Sequence, residues 1–214
     1  MLSKAVFLDR DGTINEDRMY VHEAKDFIWL NGVFEALRIF QKLGYSLFIV
    51  TNQSGIGRGY YDEEQLIKFN DWIMNELSIN GVNVEKIYYC PHHENAKIRR
   101  YRHVCRCRKP KTGLFYLAAR EYNLDLDHSI VIGDKLRDLQ LCFETDCTGY
   151  LIGNNESTDI ISDVFVGKYP NIMCCDSLLA VANILIKKQN EIAIGADDPN
   201  SFDDDTLKRL YGLR

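Results

Sequence analysis

The sequence predicts an α/β fold in which helices cover both faces of a mostly parallel central sheet. Two observations support this class. Apolar runs of strand length alternate along the chain with segments whose apolar residues recur every three or four positions. The runs also end at polar turns that lead into helical patterns, which is the order that produces parallel strands joined by crossover helices.

The first half of the chain alternates strand, helix, strand, helix and strand. Strands are predicted at residues 5–8, 45–50 and 84–89, and helices at residues 32–43 and 62–81. The first helix places Val33, Leu37 and Phe40 at helical spacing before the helix-ending Gly44. The second helix begins at Asp62, where Gln65 three residues later completes a capping box.

A loop rich in cysteine, histidine and arginine, at residues 90–111, interrupts the alternation. Beyond it a helix begins near Leu114, strands are predicted at residues 129–132, 149–152 and 163–166, and Asp176 is expected to cap a closing helix. This order indicates a Rossmann-like three-layer sandwich with a loop insertion. We expect one domain at residues 1–192, with the inserted loop at 88–110. Residues 193–214 are expected to form an acidic, solvated C-terminal extension that includes a short helix.

Composition limits the classes of function. A chain of 214 residues with 46% hydrophobic residues can bury the core of one globular domain. The net charge of −5 argues against nucleic-acid binding through overall charge. No apolar run approaches the length of a membrane span or of a signal-peptide core, so we expect a cytoplasmic protein with no membrane partner. We also expect a monomer.

The seven cysteines are an odd number, which argues against a disulfide framework. In a reducing compartment they are better interpreted as metal ligands or buried thiols. Four of them lie in apolar segments, and we predict them to be buried: Cys142, Cys147, Cys174 and Cys175.

Two aspartates, Asp9 and Asp11, follow the first predicted strand with one residue between them. Like charges held this close raise each other's pKa, so folding alone does not explain the pair. Because the carboxyl ends of parallel strands meet at one edge, we expect Thr51, Lys109 and Asp134 to converge with the pair. Such a set suits Mg²⁺ and a phosphoryl group. One aspartate would attack phosphorus and the other would transfer protons, but the spacing does not show which aspartate has which role.

The inserted loop carries a second candidate metal site. Its candidate ligands are three cysteines and one of three histidines: Cys90, Cys105 and Cys107, with His92, His93 or His103. A Cys₃His shell is typical of structural zinc, and four protein ligands leave no open position for catalysis. The expected task of this Zn²⁺ is to hold Arg108 and Lys109 at the crevice, since both follow Cys107 directly.

The runs FLDRDGTIN, TNQSG, RKP and GDKLRD, in this order, resemble the four motifs of the haloacid dehalogenase superfamily. The resemblance covers residues 4–152 and implies Mg²⁺-dependent phosphoryl transfer through an aspartyl-phosphate. It implies Asp9 as the nucleophile, Asp11 as the acid and base, and Thr51 and Lys109 as groups that stabilise the phosphoryl oxygens. It further implies that Mg²⁺ binds Asp9, Asp134 and the backbone carbonyl of Asp11.

The runs CPHH, CRCRKP and TNQSGIGRG narrow the resemblance to the D-glycero-D-manno-heptose 1,7-bisphosphate phosphatase family. The resemblance implies removal of the C7 phosphate in the synthesis of ADP- or GDP-heptose precursors of lipopolysaccharide or other glycans. It implies zinc ligands at Cys90, His92, Cys105 and Cys107. The substrate contacts that it implies are Asp17, Arg18, Met19, Tyr20, Asn52, Gln53, Ser54, Arg108 and Lys135.

Two alternatives remain at this stage. Histidinol-phosphate phosphatases share the zinc motif but typically have a shorter loop than the twelve residues that separate His92 from Cys105 here. A non-catalytic, zinc-stabilised binding module is disfavoured because every catalytic motif position holds a competent residue. A sugar bisphosphate also needs a cationic anchor for its distal phosphate, and Arg108 is the candidate; Arg99, Arg100 and Arg102 are better interpreted as a solvated basic face.

Overall fold

The computed structural model describes residues 2–153 and 156–196 of the chain. Its centre is a six-stranded sheet in the order β3-β2-β1-β4-β5-β6, in which every neighbouring pair is parallel. The strands are β1 Ser3–Leu8, β2 Ser46–Asn52, β3 Val84–Cys90, β4 Leu124–Gly133, β5 Thr148–Ile152 and β6 Ile172–Cys175. The predicted fold class is confirmed.

The helices lie between successive strands, except the last, which follows β6. They are α1 Val33–Lys42, α2 Gly55–Arg58, α3 Glu63–Ile79, α4 Gly113–Tyr122, α5 Thr158–Phe165 and α6 Leu178–Ala196. The described residues also include three 3₁₀ helices, Ala24–Asp26, Arg99–Tyr101 and Leu136–Phe143. The predicted capping box at the start of α3 is present: the Asp62 carboxylate accepts from the Gln65 amide at 2.8 Å, and the Gln65 side chain accepts from the Asp62 amide at 2.9 Å.

Both faces of the sheet are buried, which requires helices on each side. Successive side chains of a strand point to opposite faces, and Val6, Phe7 and Leu8 of β1 are all fully buried. On one face, the Phe7 ring meets the Phe115 ring of α4 edge-on, with ring centroids 5.3 Å apart. Burying one side chain of this kind stabilises the fold by about 1.5–3 kcal/mol, so these rings anchor α4 to the sheet.

The strand order places a crevice beside β1. The chain builds β2 and β3 on one side of β1, then returns to build β4, β5 and β6 on its other side. In open parallel sheets, ligands bind at such a reversal, outside the carboxyl ends of the strands. Asp9 follows β1, Thr51 is the second-to-last residue of β2, and Asp134 follows β4, so all three lie at the carboxyl edge of the sheet beside this crevice.

The prediction of a strand at residues 163–166 is wrong, because that segment is the end of helix α5. The Ser157 hydroxyl accepts a hydrogen bond from the Ile160 amide at 3.4 Å, which caps the helix, and Val164 is buried four residues after Ile160. A strand that sequence reasoning missed, β6, follows instead. The start of α6 also differs from expectation: the Ala180 amide donates to the Ser177 hydroxyl at 3.2 Å, so Ser177 rather than Asp176 provides the cap.

Two of the four predicted buried thiols are buried, Cys142 and Cys147, whereas Cys174 and Cys175 are only half-buried because β6 lies at the edge of the sheet.

The chain divides into two compact units, residues 1–182 and 183–214. The second unit is helical up to residue 196, and the rest of the expected acidic extension, residues 197–214, lies outside the described residues. Within the described ranges, no helix is both long enough and apolar enough to cross a bilayer.

Candidate active site

A buried lysine connects two aspartates at the floor of the crevice. The Lys109 ammonium donates to Asp9 Oδ1 at 2.6 Å, lies 2.8 Å from Asp138 Oδ1 and donates to the Val50 carbonyl at 2.6 Å. All three ammonium protons are therefore used. Burial disfavours the charged form, but the carboxylates of Asp138 and Asp9 outweigh it and raise the pKa of Lys109. Lys109 is thus a fixed cation beside Asp9.

Asp9, Asp134 and Asp138 form a cluster of carboxylates. One oxygen from each lies within 4.8 Å of the others. Burial raises the pKa of Asp9 to about 7, although Lys109 opposes this effect. A divalent cation would favour the ionised forms, and hard oxygen donors at this separation fit Mg²⁺. Gly12, with φ +88°, allows this packing because a Cβ at that position would overlap the Asp134 carboxylate.

Asp11 lies in the same cleft but outside that carboxylate cluster. Its carboxylate accepts from Arg10 Nη2 at 2.8 Å, from Asn15 Nδ2 at 3.0 Å and from Gln53 Nε2 at 3.1 Å. The side chain is therefore oriented by three neighbours, none of which is Lys109. Separation of the two aspartates into different hydrogen-bonding environments is what different roles in catalysis require.

Two residues at the end of β2, Thr51 and Asn52, contact Gln53 and Lys109 respectively. The buried Thr51 hydroxyl accepts from Gln53 Nε2 at 2.9 Å. The Asn52 side chain donates to the Lys109 carbonyl and accepts from the Lys109 amide, both at 3.1 Å. Asn52 therefore fixes the backbone that carries Lys109, a role that the sequence-based expectation of a substrate contact did not include.

Most of the predicted site residues line one cleft of about 290 Å³. Eleven of them do so: Asp9, Asp11, Asp17, Met19, Tyr20, Thr51, Asn52, Gln53, Ser54, Arg108 and Lys109. Three others, Arg18, Asp134 and Lys135, are not among its lining residues. A larger cavity of about 890 Å³ lies beside α4, but no residue of the carboxylate cluster lines it, so the smaller cleft is the candidate active site.

Three arginines and a histidine line the same cleft: Arg58, Arg108, Arg137 and His93. Among the described residues, no carboxylate lies within salt-bridge distance of Arg58 or Arg108. Arg58 Nε is buried and has no hydrogen-bond partner within the residues that the structure describes. Burial, together with the charges of Arg137 and Arg58, lowers the pKa of Arg108. Uncompensated guanidinium groups in a cleft are suited to an anionic ligand.

The four predicted zinc ligands converge in the inserted loop. One ligand atom from each of Cys90, His92, Cys105 and Cys107 lies within 4.8 Å of the others. The Cys107 sulfur is 3.1 Å from Cys105 Sγ and 3.2 Å from both Cys90 Sγ and His92 Nδ1. Zn–S bonds of about 2.3 Å in a tetrahedron place the sulfurs about 3.8 Å apart, so the cluster fits Zn²⁺ after opening by about half an ångström.

The structure also separates the three candidate histidines of this loop. Only His92 directs a ring nitrogen at the sulfur atoms, through Nδ1. His93 lies against Arg58 instead, with Nε2 3.3 Å from Arg58 Nη2, and the His103 ring packs on the His92 ring at 4.2 Å. Two hydrogen bonds connect the cluster to residues that line the cleft. Arg108 Nη1 donates to the His92 carbonyl at 3.1 Å, and the backbone amide of Gln53 donates to the Cys90 carbonyl at 2.8 Å.

Sequence reasoning missed five lining residues: Arg58, Tyr61, His93, Arg137 and Asp138. Asp138 carried a signal, because it lies four residues after Asp134 in the run GDKLRD, and the 3₁₀ helix Leu136–Phe143 turns it back toward Lys109. Tyr61 and His93 carried no comparable signal, since only the tertiary fold brings them to the cleft.

The chain is similar to phosphatases of known function. Residues 4–150 match the family described as polynucleotide kinase 3 phosphatase. The D-glycero-beta-D-manno-heptose-1,7-bisphosphate 7-phosphatase of Photorhabdus laumondii is 52% identical over 136 residues, which cover 64% of this chain and 72% of the relative. The alpha-anomer 7-phosphatase of Campylobacter jejuni is 43% identical over 159 residues, which cover 74% of this chain and 87% of the relative.

A solved structure supports the same assignment. The D,D-heptose 1,7-bisphosphate phosphatase from B. bronchiseptica, complexed with magnesium and phosphate, matches with a TM-score of 0.71 and 32% identity, covering 86% of this chain and 99% of that one. The chain therefore belongs to the family described as polynucleotide kinase 3 phosphatase and, with these relatives, to the heptose-1,7-bisphosphate 7-phosphatases of the haloacid dehalogenase superfamily.

Proposed function

We propose that this enzyme removes the C7 phosphate of D-glycero-D-manno-heptose 1,7-bisphosphate and leaves the sugar 1-phosphate. One observation carries the proposal: a single cleft is lined both by the Asp9–Lys109 pair and by two guanidinium groups, those of Arg58 and Arg108, that have no acidic partner among the described residues. The first set suits the reacting phosphate, and the second suits an additional anion on the same small molecule.

The chemistry follows from the placement of the two aspartates. Asp9 attacks the phosphorus of the C7 phosphate, and the bond from phosphorus to the sugar oxygen breaks as Asp11 gives that oxygen a proton. In the second step, Asp11 takes a proton from water, which attacks the aspartyl-phosphate and releases inorganic phosphate with Asp9 restored. The Thr51 hydroxyl donates to the phosphoryl oxygens, and Lys109, whose three protons are held by Asp9, Asp138 and the Val50 carbonyl, stabilises their charge as a fixed cation.

We propose two metal ions for this enzyme. Mg²⁺ would be held by the carboxylates of Asp9, Asp134 and Asp138 and by the backbone carbonyl of Asp11. This ion would neutralise charge on the phosphoryl oxygens. The Zn²⁺ proposed at Cys90, His92, Cys105 and Cys107 is structural, because four protein ligands complete its shell.

We also propose Arg58, Arg108 and Arg137 as the anchor for the distal C1 phosphate. The buried, unpartnered Nε of Arg58 supports this role, as does the absence of acidic partners for Arg58 and Arg108 within the described chain. The remaining parts of the proposal are a cytoplasmic location, a monomeric state and a lack of nucleic-acid or membrane partners, in agreement with seven free cysteines and a net charge of −5.

The substrate class is tested by removing the distal phosphate from the substrate or its anchor from the enzyme. We expect wild-type enzyme to favour the 1,7-bisphosphate over heptose 7-phosphate in kcat/KM. Loss of one charge-assisted contact in Arg58→Gln should lower kcat/KM for the bisphosphate about 10- to 100-fold and leave the monophosphate nearly unaffected. Steady-state phosphate release from both sugars measures this difference.

The matched control for this experiment is Arg99→Gln, because Arg99 is exposed and does not line the cleft. In this variant, the ratio of kcat/KM for the bisphosphate to kcat/KM for the monophosphate should equal the wild-type ratio. Equal losses on both sugars in Arg58→Gln would contradict a distal-phosphate anchor at this position. A wild type that shows no preference for the bisphosphate would contradict the proposed substrate class.

A further inference from the structure

A hydrogen-bond network joins Asp11 to residues that the proposed mechanism does not use. At its centre is Gln53, whose Nε2 donates to Asp11 Oδ2 at 3.1 Å and to Thr51 Oγ1 at 2.9 Å. The two protons of this amide nitrogen are therefore both used, on the two groups that move protons and stabilise the phosphoryl oxygens. The Gln53 side chain has no proton left for a substrate, contrary to its expected role as a substrate contact.

Tyr61 forms a hydrogen bond with the oxygen of the Gln53 side-chain amide. Its hydroxyl donates to Gln53 Oε1 at 2.6 Å, and its side chain is almost fully buried. Burial raises the pKa of this hydroxyl, so Tyr61 remains a neutral donor. Because Gln53 Oε1 accepts this bond, the amide is oriented with Nε2 toward Asp11 and Thr51. A rotated amide would direct its oxygen at the Asp11 carboxylate and its nitrogen at the Tyr61 hydroxyl.

The fold makes room for this tyrosine. A Cβ at Gly55 would overlap the Tyr61 ring, so glycine at that position permits the close approach. On its other side the Tyr61 ring stacks on His22, with ring centroids 4.4 Å apart and an interplanar angle of 14°. His22 Nδ1 in turn lies 2.7 Å from the Tyr20 carbonyl.

A second connection closes the network into a ring. Arg10, which is fully buried, binds the Asp11 carboxylate and donates to the Val21 carbonyl at 2.7 Å. Both connections thus lead from Asp11 to the segment 20–22, which shares Tyr20 with the predicted substrate loop 17–20. In that loop Met19 and Tyr20 have positive φ values of 55° and 57°, an unfavourable conformation for residues other than glycine.

We propose that Tyr61 is a positioning residue that acts through Gln53 to orient Asp11 and Thr51 and that links their orientation to the segment 20–22. The inference deepens the proposed function and depends on its assignment of Asp11 and Thr51. Tyr61 lines the cleft, but its hydroxyl is occupied by Gln53, so its contribution is to the rate of the chemical steps rather than to substrate affinity.

The test is Tyr61→Phe, assayed with p-nitrophenyl phosphate and Mg²⁺ so that sugar preference does not enter the result. We expect kcat to fall about 10- to 100-fold with KM changed by less than about threefold, because small displacements of catalytic groups have effects of this size. The matched control is Tyr150→Phe. Tyr150 is fully buried, and its hydroxyl has no hydrogen-bond partner among the described residues, so this variant should keep wild-type kcat.

A double-mutant comparison distinguishes action through Gln53 from a general structural role. In a Gln53→Met background, Tyr61→Phe should change kcat by less than about twofold, because the group through which it acts is gone. Independent, multiplicative losses would overturn the inference, as would wild-type kcat in Tyr61→Phe. Wild-type activity on p-nitrophenyl phosphate without activity on the heptose bisphosphate would overturn the proposed substrate and leave the inference standing.

Discussion

Asp9→Asn is expected to abolish turnover, with kcat reduced by at least about 10⁴-fold, while the chain stays folded. The amide cannot form the acyl-phosphate bond, and it removes one of the three carboxylates that would hold Mg²⁺. Folding should survive because Lys109 keeps its 2.8 Å ion pair with Asp138 and its bond to the Val50 carbonyl. Phosphate release measures the loss, and far-UV circular dichroism with thermal unfolding checks the fold.

Asp71→Asn is the control for Asp9→Asn, because Asp71 is an exposed aspartate on α3 that does not line the cleft. It should retain wild-type kcat. Turnover by Asp9→Asn within tenfold of wild type would exclude Asp9 as the nucleophile.

Cys107→Ser is expected to lose the bound zinc and to unfold at a lower temperature. Purified without chelator, wild-type protein should contain one zinc per chain, whereas the variant should contain almost none. Loss of a structural metal should lower the free energy of unfolding by more than about 3 kcal/mol. For a chain of this size, that corresponds to a fall in Tm of about 6–12 °C.

Activity should fall with the zinc, because Cys107 directly precedes Arg108 and Lys109 and the cluster is bonded to the cleft through the His92 and Cys90 carbonyls. Cys174→Ser is the matched control: Cys174 is half-buried and lies outside the cluster, so zinc content should be unchanged. A wild-type protein without zinc by elemental analysis would refute the metal assignment.

The sequence allowed the fold to be predicted where apolar runs ended at polar turns and alternated with helical patterns. The runs that became β1, β2 and β3 are of this kind, and so the edge at which Asp9 and Thr51 meet could be predicted. The segment 163–166 was misassigned because a short apolar run has no decisive period, and the Ser157 cap with Val164 one turn after Ile160 makes it a helix.

Only the site residues that belong to linear sequence motifs could be predicted. Asp9, Lys109 and the group of three cysteines with His92 carried strong local signals, and the structure pairs Asp9 with Lys109 and gathers the cysteines around His92. The contacts of Gln53 and Asn52 were not predictable, because their partners lie far away in sequence: Asn52 binds the Lys109 backbone, fifty-seven positions later. Arg58 and His93 meet at the cleft for the same reason, since α2 and the inserted loop are adjacent only in the folded chain.

The most direct test of the central claim is phosphate release with Mg²⁺ from the α and β anomers of D-glycero-D-manno-heptose 1,7-bisphosphate, measured beside histidinol phosphate and fructose 1,6-bisphosphate. We expect kcat/KM for one heptose anomer to exceed that for histidinol phosphate by at least about 100-fold, because only a bisphosphate engages both charged regions of the cleft. A higher value for histidinol phosphate, or equally slow release from all four compounds, would contradict the account.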